Sequence, residues 1–227
     1  MSFLYEERAS ASLFVDVVWH TVDTSDGIYL ASVDARWDMV FTLAGPRHRV
    51  LLSGPSSHPT VVPYTGGSRN LGIRFAPGAY FTHVPVAAMC DRTLTLVMPA
   101  PNAFLLAEAE WPFPGTDDDR VDALVEAFAD RGLLARDVVV EAALDGGVPG
   151  LSPRTVERHF THAIGMNPRR VRQIDRAREA VARLQGGSPI AEVAHTLGYA
   201  DQSHLTRDLK RLTGYTPGQS QSRDEPV

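Results

Sequence analysis

The chain reads as an α+β protein whose strands and helices are segregated along its length. Three observations predict this. Residues 11–111 hold short β-branched or aromatic runs divided by turn-rich clusters. From residue 116 onward the apolar residues recur at helical spacing. Residues 152–217 contain one short pattern twice, 49 positions apart. The expected architecture is a β-rich sandwich or small barrel over residues 1–132, an all-α part over 133–220 made of two related units, and a tail, 221–227.

The strand candidates are Ser12 to Val22, Trp37 to Leu43, Arg49 to Ser53 and Asn70 to Phe75. Clusters such as Asp23 to Gly27, Gly45 to His48 and Gly54 to Pro59 separate them. A short helix is expected within Ala79 to Cys90, starting near Pro85. Thr116-Asp-Asp-Asp119 looks like a helix cap with acidic residues in the first turn, which the helix dipole favours. That helix continues through Phe128 and ends at Arg131-Gly132, so 133–137 is the expected hinge. A helix is expected at 138–145, then a long turn, Gly146-Gly-Val-Pro-Gly150. Pro168 to Leu184 reads as one long connector, with Val171, Ile174, Ala177, Val181 and Leu184 on one face and Gly186-Gly187 as its stop. Ser188 is the expected cap of the next helix, with Pro189 at its first position.

The repeat carries the chemistry. Ser152 and Asp201 each open a helix as caps. Val156 and Phe160 in the first copy match Leu205 and Leu209 in the second as an inward-facing apolar pair. Arg158 matches Arg207, Gly165 matches Gly214 and Pro168 matches Pro217. Two such units joined by one helix can enter successive major grooves about 34 Å apart.

Charge supports that reading once it is resolved along the chain. The 227 residues carry a net charge of −5, but residues 151–220 carry +5 and residues 1–150 carry −9. Phosphate contact follows the local basic face, so the acidic N-terminal half is a poor DNA surface. Only one of the 22 basic residues is lysine. Arginine suits bidentate contacts to phosphate and guanine, and a GC-rich genome would produce the same bias. No run of about 18 apolar residues occurs, so no membrane span is expected. The N-terminus lacks a basic stretch followed by an apolar one, so no secretion signal is visible and a cytoplasmic location is expected. Cys90 is the single cysteine, which excludes an intrachain disulfide. Without a second cysteine to resolve an oxidised form, a buried inert thiol is the better reading than a redox sensor.

The stretch Pro189 to Pro217 resembles the second helix-turn-helix of AraC/XylS-type transcriptional regulators, at Ile190, Ala194, Gly198, Tyr199, Gln202, Ser203, Arg207, Gly214 and Pro217. The resemblance covers roughly residues 137–219. One departure stands in the first unit, where the usual Leu-Ala-x-x-x-Gly before the serine cap is replaced by the glycine-rich turn at 146–150. A weaker resemblance, carried by Trp37 to Phe41, Gly54-Pro55, Gly72 to Gly78 and Gly132-Leu-Leu134, links the N-terminal half to the cupin-like domain of an actinobacterial-type subgroup of these regulators. In that family the N-terminal domain binds a small effector, dimerises, or does both. The resemblance thus implies double-stranded DNA as partner, a small-molecule effector, a possible homodimer, and RNA polymerase if the chain activates.

Counting from the caps, the exposed positions expected to face DNA are Arg154, Thr155, Glu157 and Arg158, with His159 beside them, in the first unit. In the second they are Gln202, Ser203, His204, Thr206, Arg207, Lys210 and Arg211. Base-touching positions of the family map onto Arg154, Glu157, Arg158, Gln202, Ser203, Thr206 and Arg207. Arginine reads guanine, glutamine reads adenine, and serine or threonine reads either base or phosphate. Glu157 can accept from cytosine or pair with a neighbouring arginine.

Trp37, Phe41, Tyr64, Arg74, Phe75 and Trp111 are the candidate effector-pocket residues, against the alternative that the aromatics are plain core and Arg74 lies on the surface. His20, His48, His58 and His83 are scattered, with no His-x-His, so neither a metal site nor a cofactor is expected. No phosphate loop or nucleophile elbow appears, and the chain reads as a non-enzyme. The competing reading is a cupin-like enzyme or ligand-binding protein with a vestigial DNA-binding tail.

Overall fold

The computed structural model describes residues 3–222. The N-terminal half runs β1 (Phe3–Arg8), β2 (Val15–Asp23), β3 (Gly27–Ala31), β4 (Asp38–Ala44), β5 (Arg47–Ser53), β6 (Thr60–Tyr64), β7 (Arg69–Phe75), β8 (Ala79–Phe81), α1 (Val86–Met89), β9 (Thr93–Leu96), β10 (Ala103–Leu106), β11 (Ala109–Pro112), α2 (Asp118–Asp130) and β12 (Leu134–Arg136). The helical half follows as α3 (Val138–Leu144), α4 (Pro153–Ala163), α5 (Pro168–Gln185), α6 (Ile190–Thr196), α7 (Gln202–Thr213) and α8 (Pro217–Gln221). The α+β class with strands first and helices second is as the sequence predicts. Residues 223–227 of the expected tail lie outside the described residues.

Six strands form one antiparallel sheet in the order β1-β2-β7-β4-β5-β9. Pairing puts Met39 beside Ile73 and Phe41 beside Leu71, and Val18 also meets Ile73. These side chains point to one face and are fully buried with Phe75, Val50 and Leu52. Helix α2 closes that core with Val121, Leu124, Val125 and Phe128. The expected strands are β2, β4, β5 and β7. The short helix starts just after Pro85 but spans only α1, because Ala79–Phe81 is a strand.

Segment 133–137 is not a free hinge. Leu134 pairs with Phe81 and Arg136 with Ala79, so this stretch is strand β12, and Leu134 is buried in the N-terminal core. Backbone bonding to β8 and burial together hold it in place. Two caps are also shifted. Asp117, not Thr116, caps α2 and accepts from the amides of Asp119 and Arg120. Helix α6 starts one residue later than expected, with Pro189 as its cap and no side-chain cap bond, so Ser188 does not fill that role.

The second core lies among the helices. It contains Phe160, Ile164, Ile174, Leu184, Leu205, Leu209 and Leu212. Val33 and Ala35, from the loop between β3 and β4, are buried in this core and not in the first. The packing therefore crosses from one half of the chain to the other.

Candidate nucleic-acid interface

The two related units share one local geometry. Ser152 Oγ accepts from the Thr155 amide at 3.2 Å, and the Asp201 carboxylate accepts from the His204 amide at 2.6 Å. Each cap satisfies a donor three residues on that the helix itself leaves without a partner. At the other end, Gly165 and Gly214 have φ of +77° and +80°, a left-handed turn that glycine enters without steric cost. The next helices open alike: Asn167 caps α5 and Thr216 caps α8, each ahead of a proline. Phe160, Leu205 and Leu209 are fully buried, while Val156 is only partly so.

With the apolar stripes turned inward, the polar faces turn out. Arg154, Glu157 and Arg158 on α4 and Gln202, Ser203 and Arg207 on α7 are exposed. Thr155, His204 and Thr206 are half-buried. Arg154, Thr155, Glu157, Arg158, Thr161 and His162 line a shallow concavity of about 640 Å³ beside α4. Among the described residues, the side chains of Arg154, Glu157, Arg158, Gln202 and Arg207 make no internal hydrogen bond or ion pair. Glu157 therefore does not take the arginine partner that one reading of the sequence gave it.

Other candidate contacts are already engaged. Thr206 Oγ1 donates to the Gln202 carbonyl at 2.8 Å. His204 Nδ1 accepts from the Ala200 amide, and its ring meets Tyr199 edge-on at 5.3 Å. Lys210 Nζ donates to the Gly214 carbonyl at 2.8 Å, at the negative end of α7. Arg211 pairs with Asp208 at 2.6 Å. Asp208 itself is buried on the inner side of α7 and also accepts from Gln173 and approaches Arg176. Sequence reasoning did not single out Asp208. Its signal was available, since it sits beside Leu209 on the face turned toward the connector.

Helix α4 is held differently. His159 Nδ1 lies 2.7 Å from the Asp137 carboxylate, so His159 is turned inward, away from the outer face of α4. His162 meets the Tyr80 hydroxyl at 3.2 Å. Cys90, at the end of α1, packs against Gly165 and lies 3.7 Å from the Ile164 carbonyl. Burial, with Asp91 nearby, pushes the Cys90 thiol up, which disfavours the reactive thiolate. The turn before α4 is as open as its composition suggests, with Gly146, Gly147 and Gly150 at φ of +133°, +127° and +87°.

The six effector-pocket candidates do not form one wall. Trp37, Phe41, Phe75 and Trp111 lie in the first core, at most 3% exposed. They pack edge-on with Phe81, Phe104, Phe113 and Phe128. Tyr64 packs on Phe3. Arg74 lies on the opposite face of the sheet and is no surface arginine, since it faces Asp34 at 3.2 Å and Asp38 at 4.0 Å. Alternation puts Val17, Trp19, Val40 and Gly72 on that same face, all near Arg74 in register. Tyr5 stacks on Trp19, and a side chain at Gly72 would collide with the Trp19 ring. A glycine inside a strand often marks such a close approach, and that signal could have found this face.

Each histidine named in the sequence has a local role. His20 bonds Asp118, His48 bonds the Pro101 carbonyl, His58 faces Asp91, and His83 meets Phe81 edge-on. Among the described residues no group of three or more His, Cys, Asp or Glu side chains could hold a metal ion. No described helix is long and apolar enough to cross a membrane.

Comparison with known families places this geometry in a class. Residues 148–223 match the model of a family described as a helix-turn-helix domain. No curated protein matches the chain. Among solved structures the chain is similar to ToxT from Vibrio cholerae, at 8% identity and a TM-score of 0.45, with 96% of this chain and 97% of that one covered. It is similar to ToxT from Vibrio cholerae O395 bound to (E)-4-(8-methylnaphthalen-1-yl)but-3-enoic acid, at 9% identity and a TM-score of 0.43, covering 96% and 98%.

Proposed function

We propose that the chain is a sequence-specific transcription regulator that reads DNA with α4 and α7. The observation that carries this reading is the matched pair of units, each capped, packed and terminated alike, with arginines of both outer faces free of internal partners. Arg154, Glu157 and Arg158 read one half-site, and Gln202, Ser203, Thr206 and Arg207 the other. Thr155 and His204 border these contacts. Lys210 and Arg211 reach phosphate only by giving up the Gly214 carbonyl or Asp208.

The N-terminal half acts as the sensor or dimerisation part, with no catalytic role. A small effector is better placed on the sheet face bearing Tyr5, Trp19 and Arg74 than among the packed aromatics of the core. The protein works in the cytoplasm on double-stranded DNA, and contacts RNA polymerase if it activates. Selection of bound sequences from a random duplex pool by the full chain tests the reading. A two-part motif with half-sites one helical turn apart is the expected result. Binding that selects no sequence overturns it.

A further inference from the structure

Seven ionisable side chains meet where the loop after β3 reaches the connector helix α5: Asp16, Asp34, Arg36, Asp38, Arg74, Asp175 and Arg178. Asp34 is the hub. One carboxylate oxygen faces Arg178 and also Arg74 at 3.2 Å, and the other accepts from Arg36 at 3.3 Å and from the Arg36 amide at 3.1 Å. Arg36 reaches onward to Asp175 at 3.2 Å and Asp16 at 3.5 Å. Asp175 and Arg178 belong to α5, and the other five to the N-terminal half.

The backbone around the hub is tied on both sides. The Asp34 amide donates to Ser56, and the Ser56 amide donates back to the Asp34 carbonyl at 2.7 Å. The Val33 amide donates to the Leu212 carbonyl at 2.9 Å, at the end of α7, and Leu30 packs over Gly214. Val33 and Ala35 fill part of the helical core. At a separate place the N-terminal half holds α4, through Tyr80, Val86 and Cys90. It therefore grips both units at once.

A buried ion cluster is a weak source of net stability, because desolvation offsets most of the attraction between the charges. Its geometric demand is strong, since a misplaced member leaves a buried charge without its partner. Such a cluster fits a role in fixing an arrangement. We propose that Asp34, although outside the DNA-binding segment, is a positioning residue for DNA recognition: through Arg178 and Arg36 it fixes α5 against the N-terminal half and so sets the separation and relative rotation of α4 and α7. This inference rests on the DNA-binding reading above. Its consequence is selectivity for the spacing between half-sites, not for the bases within them.

The test uses the full chain and two readouts. Spin labels at exposed positions of α4 and α7 (Thr161→Cys and Lys210→Cys, with Cys90→Ser, which keeps the size of the side chain against Gly165) report the distance between the units without DNA. Unlabelled protein reports affinity for a selected site and for the same site with one half moved by two base pairs. Asp34→Asn removes the hub charge. Asp34→Asn with Arg178→Gln removes both members of the pair, so that folding survives if the single change is too costly. The wild type is expected to give one narrow distance distribution. The double variant is expected to give a broad one, and to lose roughly five- to tenfold of its discrimination against the shifted site while contacting the same bases. An unchanged distance distribution overturns the proposal whatever DNA does. A broadened distribution with unchanged spacing selectivity also overturns it. A wild type that selects no DNA sequence overturns the DNA reading and, with it, this role of Asp34.

Discussion

Helices α4 and α7 carry the same local code and sit in different surroundings. Both are capped by a side chain, both end in a left-handed glycine, and both keep an arginine on the outer face. The outer face of α7 is set from behind by Asp208, which ties α7 to α5 through Gln173 and Arg176. Helix α4 is set from the side, by Asp137 through His159 and by Tyr80 and α1 from the N-terminal half. Both units touch the N-terminal half, but the side chains set behind the outer face of α7 come from α5, while α4 is held at its side by Tyr80 and α1 as well as by Asp137. The lesson is that a repeated motif specifies a binding surface but not its placement.

Several measurements would break or sharpen that contrast. The largest expected effect is on stability. Asp208→Ala leaves Arg176 and Arg211 facing a vacated carboxylate site, at a cost of about 2 kcal/mol, below the usual figure for a fully buried pair because both arginines keep part of their hydration. Thermal unfolding of Asp208→Ala and Asp208→Asn against the wild type checks this, and a wild-type melting temperature for Asp208→Asn would show that the carboxylate charge does nothing. Next in size, Arg207→Ala should lose roughly 1–3 kcal/mol on a selected site and much less on random DNA. Competition binding checks it, and equal losses on both would make Arg207 a phosphate contact.

A pH effect comes third. Burial pushes the Asp38 carboxyl up to about 7, helped by Asp34 and opposed by Arg74. The folded protein then holds a proton that the unfolded chain, with an ordinary value of 3.8, has lost. Stability from this group therefore falls as pH rises from about 4 through about 7. Asp38→Asn should flatten that slope in denaturant titrations, and an unchanged slope contradicts the assignment. Asp34 acts in the opposite sense. Burial raises it, but Arg178, Arg36 and Arg74 outweigh that and hold it at about 2, so its contribution is lost only as pH falls from the ordinary carboxylate range toward about 2. The smallest effect is at the turn before α4. Pro149→Ala should shift footprint strength at the half-site read by α4 without unfolding the domain. Footprints unchanged at both half-sites would remove the turn from the account.

Legibility in the sequence followed the range of the interactions. The repeat could be read because caps, apolar pairs and terminal glycines act within a few residues, as at Ser152 and Gly165. The main sheet strands could be read from their apolar runs. Strands β1, β3 and β6 could not, since Leu4, Ile28, Val61 and Val62 are exposed and blur the alternation. Strand β12 looked like a hinge because its partner, β8, lies more than 50 residues earlier. The aromatics Trp37, Phe41 and Phe75 were open to either reading from sequence alone, and pairing across strands turned them into the core. The hub at Asp34 had no local signature, because its cluster joins one loop to three strands and a distant helix.

The central claim is that both units read DNA and that the reading face of α7 is held mainly from α5, with the Val33 loop a smaller support, while α4 leans more heavily on Tyr80 and α1 of the N-terminal half. Footprinting of the full chain and of a 133–227 fragment on one selected site tests it most directly. The account predicts that the full chain protects both half-sites. It predicts that the fragment, having lost Tyr80, Cys90 and the Val33 loop, keeps the α7 half-site with weakened affinity and loses most protection at the α4 half-site. Equal protection of both half-sites by the fragment, or loss of the α7 half-site first, would contradict it.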